Sequence, residues 1–114
     1  MKLITAIIKP SRLDAVIDAL KDVSAAGVTV SEVRGFGRQK GRTEVYRGAE
    51  YEVTLLPKMR IEVVIGDDRA EAAAEAIADA ARTGKIGDGK IWVFNLESVI
   101  RIRTGERGQA AIEG

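Results

Sequence analysis

The chain has no cysteine and no histidine among its 114 residues, and only 4% of its residues are aromatic. Without cysteine it forms no disulfide bonds and offers no thiolate ligands to metals. Without histidine it lacks the commonest general base and the commonest protein ligand of transition metals. The composition therefore gives little support to enzymatic catalysis, and the scarcity of aromatic side chains leaves few groups on which nucleic-acid bases stack.

Long hydrophobic runs are also missing. No apolar stretch approaches the roughly 18 residues that cross a bilayer, and the opening segment MKLITAIIKP lacks the apolar core and cleavage site of a secretion signal. A cytoplasmic protein is therefore expected. The formal net charge of +1 creates no general attraction for polyanions, so direct nucleic-acid binding is not expected. With 46% hydrophobic and 31% charged residues, the chain suits a single domain, residues 1–114, with one modest core.

What is present is an approximate duplication of a β-α-β unit. The first unit has a strand over residues 2–8, a helix that follows Pro10 and Ser11 and ends at residues 25–27, and a strand over residues 28–37. Its helix carries an apolar stripe at intervals of three and four residues, formed by Leu13, Val16, Ile17, Leu20 and Val23.

The second unit repeats this order. Its first strand is MRIEVVIG, residues 59–66, its helix covers about residues 68–82, and KIWVFNLESVIRIRT, residues 90–104, is predicted to close the domain as one long strand. The order β-α-β-β-α-β indicates an α+β fold, the ferredoxin-like sandwich, in which an antiparallel sheet carries two helices on one face.

Both faces of the predicted sheet carry apolar side chains. In the first strand, Ile4 and Ile8 lie on one face, and Leu3 and Ile7 lie on the other. Two helices cover only one face, so the second face would expose more apolar surface than soluble monomers usually do. The pattern therefore predicts a homo-oligomer, and Trp92 in the last strand is expected to pack in the core or at the interface between subunits.

The connection between the two units, residues 37–58, is much longer than a usual connection between strands. Short hairpin arms around RGAE would expose Arg47, Glu50 and Tyr51 at the tip. A polar loop with an exposed tyrosine is typical of a recognition arm, and a disordered insertion is the alternative.

The segment TGKIGDGK, residues 83–90, contains three glycines and two lysines. From Gly84 it follows the phosphate-binding pattern G-x-x-x-x-G-K, but isoleucine stands next where that pattern requires Ser or Thr, and the segment leaves a helix instead of entering one. Phosphate would therefore be held by backbone N–H groups, with positive φ at Gly84, Gly87 and Gly89, and by the charge of Lys90. The alternative is an ordinary turn without a ligand.

Arg101 and Arg103 have the spacing that places two side chains on the same face of a strand. Two guanidinium groups so placed would form a clamp for phosphate oxygens. On spacing alone, a solvated face of the strand is an equally good interpretation.

The segment RGFGRQKG, residues 34–41, permits two further interpretations. Its first four residues match the start of an RNA-recognition motif, but the aromatic residues that should follow are replaced by Arg38, Gln39, Lys40 and Gly41. It also approaches the dinucleotide-binding pattern G-x-G-x-x-G, with one residue too many before the last glycine and no following helix. Neither match is complete.

Several segments together resemble the PII signal-transduction proteins, the trimeric nitrogen and carbon sensors of bacteria, archaea and plastids. The resemblance covers nearly the whole chain and is carried by KPSRLDAV, EVRGFGRQKG, YRGAEYEV, LLPK, TGKIGDGKIWVF and IRIRTGE. It implies a ferredoxin-like homotrimer that is not an enzyme and that binds ATP or ADP in clefts between subunits. It also implies that a long T-loop, about residues 37–57, docks on an ammonium transporter and on nitrogen-metabolism enzymes. A small nucleotide-hydrolysing enzyme and an RNA-binding ferredoxin-like module remain as alternatives.

The resemblance implies roles for individual residues as well. Those implied to bind nucleotide are Thr29, Gly35, Gly37, Arg38, Gln39, Val64, Gly87, Asp88, Gly89, Lys90, Arg101 and Arg103. Those implied to bind 2-oxoglutarate are Gln39, Lys40, Gly41 and Lys58. Gln39 is implied to offer an oxygen to a Mg²⁺ ion shared with the ATP phosphates. Tyr51 is implied to receive UMP or AMP from a nucleotidyltransferase, and the choice between the two is left open.

Overall fold

The computed structural model of the chain describes residues 1–37 and 55–113. In chain order its elements are β1 (Lys2–Ile8), α1 (Leu13–Asp22), β2 (Thr29–Gly35), β3 (Leu56–Ile65), α2 (Asp67–Ala81), β4 (Lys90–Asn95) and α3 (Gln109–Ile112). One turn of 3₁₀ helix, Pro10–Arg12, leads into α1, as the fixed φ of a proline at its start favours. Within the described residues, no helix has the length and apolar character needed to span a bilayer.

The four strands form one antiparallel sheet in the order β2-β3-β1-β4. Strand β1 is central, so that Ile4 stands between Val63 of β3 and Val93 of β4. Strand β2 pairs with the other side of β3. Strand β3 therefore lies between the parallel strands β1 and β2 of the first unit, and β1 lies between the parallel strands β3 and β4 of the second. Each β-α-β unit is split by a strand of the other unit, which confirms the predicted ferredoxin-like fold.

The core lies between the sheet and the helices α1 and α2. The sheet contributes alternate residues of β1 and β3, and the helices contribute the faces that the spacing of three and four predicts. The buried apolar residues are Ile4, Ala6, Ile8, Val16, Leu20, Ile61, Val63, Ile65, Ala70, Ala73, Ile77 and Ala81. Three of the four buried residues of α2 are alanines, whose small side chains permit close packing of this helix on its neighbours.

The last strand is shorter than predicted. Strand β4 ends at Asn95, the register partner of Lys2 at the beginning of β1, so the residues after Asn95 have no strand of the described fold beside them. The chain turns back instead, and the N–H of Arg101 donates to the carbonyl oxygen of Glu106. The prediction of one strand over residues 90–104 is therefore wrong.

Other boundaries differ from the predictions by a few residues, and two of these differences have a clear cause. Helix α1 ends at Asp22 because Ser24 has a φ of 64°. This left-handed conformation ends helices and is usually adopted by glycine or asparagine. Strand β3 begins at Leu56, before the predicted start, because Leu56 pairs with Gly35 at the end of β2. Both differences move the ends of elements and leave the topology unchanged.

The sheet face away from the helices, here called the open face, is only partly apolar. Arg60 and Glu62 form an ion pair of 3.0 Å at its centre, and Thr5 lies buried beside Glu62. Trp92 and Phe94 on β4 are 42% and 58% exposed. The expectation of a second apolar face is therefore corrected to a mixed face: Leu3, Ile7, Trp92 and Phe94 lie on it as predicted, but its centre is polar.

Candidate functional site

The segment of residues 83–89, here called the glycine loop, joins α2 to β4 beside the end of β1. Its glycines Gly84, Gly87 and Gly89 have φ of 83°, 98° and 96°, so the predicted positive φ values are confirmed. Gly89 also packs tightly against the sheet, since a Cβ built on it would lie 1.7 Å from the carbonyl oxygen of Ile7. The loop therefore has a defined shape and a defined position on the sheet.

Asp88 holds the glycine loop from within. Its Oδ2 accepts hydrogen bonds from the backbone N–H groups of Thr83 (2.9 Å) and Gly84 (2.8 Å), and its Oδ1 accepts from the Thr83 hydroxyl (2.5 Å). The Nζ of Lys9 lies 3.2 Å from Oδ1. The Thr83 hydroxyl above all, and then these other donors, hold the pKa of the Asp88 carboxyl well below its ordinary value. Asp88 is therefore an ionised carboxylate whose oxygens are engaged within the chain.

Cationic side chains gather on the open face next to the glycine loop. The Nζ of Lys58 donates to the carbonyl oxygen of Gly87 at 2.8 Å. Ile7 lies on the open face, and residues paired across a sheet share a face. Lys90 and Arg60, the partners of Ile7 on its two sides, therefore lie on the open face as well. Because Arg60 is already paired with Glu62, Lys58 and Lys90 give this end of the open face its positive charge, and an anion is the ligand chemistry that it fits.

Two more of the implied residues lie on the open face, farther from the loop. Thr29 of the edge strand is paired with Glu62, and the half-buried Val64 is paired with Leu3. The open face therefore continues from cationic groups beside the loop to a mixed polar and apolar surface.

Gly35 ends β2, and Gly37 follows it closely. A Cβ built on either glycine would meet nothing within 4 Å in the described structure, and neither glycine has a positive φ. Unlike Gly89, these two positions do not need glycine for the fold of the described residues. The close approach of another molecule to the backbone is one reason for glycine at such positions.

The two arginines implied to bind phosphate do not lie on a strand. Arg101 is in the turn after β4, where its guanidinium donates to the carbonyl oxygens of Ala110 and Ala111, at 3.4 and 3.3 Å, and to that of Glu113. Arg103 is exposed. The predicted clamp on one strand face is therefore wrong, because β4 ends before either arginine.

A single chain also keeps Arg101 away from the glycine loop. Arg101 contacts helix α3, and α3 lies against Gly66. Gly66 follows Ile65, the residue that pairs with Lys2 at the beginning of β1. Lys90 pairs with Ile7, near the other end of β1, and the rise of a strand puts about 17 Å between those two ends. The glycine loop and Arg101 therefore occupy opposite ends of the same sheet.

Several implied site residues lie outside the described residues, namely Arg38, Gln39, Lys40, Gly41 and Tyr51. Their roles with Mg²⁺, 2-oxoglutarate and covalent modification stay predictions. In the part of the chain that the structure describes, no three acidic side chains gather into a metal site.

Sequence reasoning missed Lys9 and Thr83, the two partners of Asp88 that hold the loop. Thr83 stands at the start of the glycine segment, and Lys9 lies between Ile8, the last residue of β1, and Pro10. Polar residues near the two ends of a loop, here Thr83 and Asp88, are a signal for a contact between them, but the contact of Lys9 with this pair depends on the fold.

Comparison with known proteins identifies the family. The family model for nitrogen regulatory protein P-II matches residues 1–106. Over 112 residues the chain is 63% identical to nitrogen regulatory protein P-II of Rhizobium meliloti (strain 1021) and 62% identical to that of Mesorhizobium japonicum, covering 98% of this chain and 100% of each relative. Nitrogen regulatory protein P-II 1 of Escherichia coli (strain K12) is 60% identical with the same coverage. The chain therefore belongs to the nitrogen regulatory protein P-II family.

Proposed function

We propose that the chain is a signal-transduction protein that binds ATP or ADP with the phosphates at the glycine loop. The observation that carries the proposal is the loop itself, in which three glycines take left-handed conformations beside cationic side chains. Backbone N–H groups in such conformations form anion-binding concavities, and ammonium groups add positive charge. In this proposal Asp88 shapes the loop, while Gly87, Gly89 and Lys90 meet the phosphates.

A second copy of the chain is proposed to complete the nucleotide site within a homotrimer. Because Arg101 lies at the far end of the sheet, one chain cannot close a clamp around its own glycine loop. Across an interface between subunits, Arg101 and Arg103 of one chain would reach the loop of another. Trp92 and Phe94 supply exposed apolar surface for such an interface. The number three comes from the family resemblance.

We also propose that 2-oxoglutarate and Mg²⁺ bind together with the nucleotide. Gln39 would offer an oxygen to Mg²⁺, Lys58 would pair with a carboxylate of the metabolite, and Lys40 and Gly41 would complete the pocket. The ligands would act without a chemical step, by favouring one state of the T-loop over another; since β3 begins at Leu56, that loop ends before this residue. That loop would carry the signal to an ammonium transporter or to nitrogen-metabolism enzymes.

Isothermal titration with ATP tests the nucleotide site. Lys90→Ala and Arg103→Ala are each expected to weaken binding roughly ten- to hundredfold, because each removes a charge-assisted contact worth about 1.5–3 kcal/mol. Arg103 is the better arginine to replace, since loss of the Arg101 side chain also leaves carbonyl oxygens without their donor. Lys21→Ala, on the exposed side of α1, is the control and should bind ATP as the wild type does. Wild-type affinity in both site variants, with the oligomer intact, would refute the proposal.

A further inference from the structure

Lys9 directly follows β1, and its side chain reaches the glycine loop, although it is not among the residues that the sequence analysis implies to bind a ligand. Its Nζ donates a 3.0 Å hydrogen bond to the Thr83 hydroxyl and lies 3.2 Å from Oδ1 of Asp88. The side chains of Lys9 and Asp88 are only 24% and 25% exposed. The pair is therefore largely withdrawn from water. Partly buried ion pairs of this kind are screened by salt much less than exposed ones.

Lys9, Thr83 and Asp88 form a closed network that ties the two ends of the loop together. The Thr83 hydroxyl donates to Asp88, accepts from Lys9, and also accepts from the N–H of Lys85 at 3.1 Å. The other carboxylate oxygen of Asp88 receives the N–H groups of Thr83 and Gly84. Because Lys9 follows β1 directly, the network also anchors the loop to the sheet.

The network has an electrostatic consequence for any anion at the loop. An unpaired carboxylate at Asp88 would repel phosphate oxygens held by the neighbouring backbone of Gly87 and Gly89, because charges a few ångströms apart interact strongly near a protein surface. Lys9 places a positive charge beside that carboxylate. Lys9 therefore affects both the shape and the charge of the loop, and neither effect requires contact with the ligand.

We propose that Lys9 is a positioning residue of the nucleotide site: through Thr83 and Asp88 it holds the glycine loop in its ligand-binding shape, and it neutralises the carboxylate within that loop. The inference rests on the proposed function, because the shape of the loop affects binding only if phosphates bind there. It separates the role of Lys9, which acts through the loop, from that of Lys90, which acts on the ligand.

Amide hydrogen exchange on the full chain without nucleotide tests the first half of the inference. In Lys9→Met, the N–H groups of Thr83 and Gly84 should exchange at least about tenfold faster than in the wild type, because their acceptor is no longer held. Thr83→Val removes the same network from its other side, and the Gly84 N–H should respond in the same way. Lys90→Ala should leave this exchange at the wild-type rate. Lys2→Met is the matched control, a lysine at the opposite end of β1. Wild-type exchange rates in Lys9→Met would overturn the inference.

Titration with ATP tests the second half. Affinity should fall about tenfold in Lys9→Met, recover largely in Lys9→Arg, and stay at the wild-type value in Lys2→Met. In a background that combines Thr83→Val with Asp88→Asn, Lys9→Met should have little further effect, because both side chains through which it acts are then gone. A full tenfold loss in that background would mean that Lys9 contacts the ligand directly, which overturns the inference.

Failure of the proposed function would be recognised separately. In that case the wild type itself would not bind ATP, and the exchange rates alone would decide the role of Lys9. Faster exchange in Lys9→Met would support the role of Lys9 in shaping the loop. Unchanged exchange would show that Lys9 has no such role.

Discussion

The Nζ of Lys58 donates a hydrogen bond of 2.8 Å to the carbonyl oxygen of Gly87, so a side chain of β3 contacts the glycine loop directly. Lys58 is proposed to pair with 2-oxoglutarate, and Gly87 is proposed to lie against the nucleotide phosphates. A carboxylate that takes the ammonium group would remove a donor from the Gly87 carbonyl. Occupancy of one site would then change the contacts of the other, which is the kind of link that cooperative binding requires.

Lys58→Met should weaken 2-oxoglutarate binding in the presence of Mg²⁺ and ATP by roughly ten- to hundredfold, because it removes a charge-assisted contact. Binding of ATP alone should fall less than about tenfold, since the variant loses a contact within the loop and none with the phosphates. Successive titrations with ATP and 2-oxoglutarate measure both effects. Lys85→Met, an exposed lysine of the glycine loop, is the control. Retained 2-oxoglutarate affinity in Lys58→Met would remove Lys58 from the site.

Gly89→Ala should lower the free energy of unfolding by about 3 kcal/mol or more, because left-handed strain is joined by a clash with the Ile7 carbonyl oxygen. Gly84→Ala is the matched control: its φ is also positive, but its Cβ would meet nothing within 4 Å of the described residues. That variant should lose only about 1–2 kcal/mol. Urea unfolding at equal protein concentrations measures both values. Equal losses would mean that the contact with Ile7 contributes nothing.

The order of elements could be predicted because periodicity reports burial. Val16 and Leu20, in the predicted stripe of α1, are fully buried, and so are Ile4 and Ile8 on one face of β1. The end of β4 could not be predicted in the same way. Residues 100–103 alternate between apolar and charged side chains as a strand does. Pairing nevertheless stops where the neighbouring strand stops, and a local pattern carries no information about that neighbour.

The candidate site could be predicted only where residue type alone sets the geometry. Positive φ at Gly87 and Gly89 follows from glycine in a tight loop, and it is observed. The contact of Lys9 with Asp88 joins residues far apart in the chain, so it depends on how the end of β1 meets the loop. The arginine clamp failed for a related reason, since a spacing of two residues implies a shared face only where a strand exists.

Light scattering should give a particle with three times the mass of one chain. Phe94→Glu should shift the population toward smaller species at micromolar concentration, because it would place a charge in an apolar contact between subunits. Phe94 is 58% exposed in the single chain, so the substitution itself should not disturb the core. Ala72→Glu, on the exposed side of α2, is the control and should leave the mass unchanged. A wild type that is monomeric at micromolar concentration would contradict the proposed trimer.

Tyr51 is predicted to carry a nucleotidyl group in nitrogen-starved native cells. The residue lies outside the described part of the chain, and the prediction rests on the family resemblance. A phosphodiester adds bulk and negative charge, so it should hinder docking of the T-loop on a partner. Intact mass spectrometry should show one addition per chain, with a mass that distinguishes UMP from AMP. The addition should be absent in Tyr51→Phe and present in Tyr46→Phe. Its persistence in Tyr51→Phe would move the site elsewhere, and its absence under both starvation and ammonium shock would leave ligand binding as the only switch.

Asp88→Asn should destabilise the protein at neutral pH, and the difference from the wild type should shrink in acid. The hydroxyl of Thr83, the N–H groups of Thr83 and Gly84, and Lys9 lower the pKa of the Asp88 carboxyl in the folded state. A carboxyl group whose pKa is lowered by folding stabilises the fold fully above its unfolded pKa, here 3.8, and loses that contribution as pH falls below this value toward the folded pKa.

Thermal unfolding at fixed protein concentration checks this expectation. The Tm of the wild type should exceed that of Asp88→Asn by the same margin at about pH 7 and pH 5, and by a smaller margin at about pH 3. Asp67, whose pKa is lowered by a hydrogen bond from the amino group of Met1, is present in both proteins and cancels from the comparison. Asp79→Asn removes only an exposed ion pair with Arg82, which contributes little, so its Tm should follow the wild type throughout. A margin for Asp88→Asn that stayed constant down to about pH 3 would mean that the negative charge of Asp88 does not stabilise the loop.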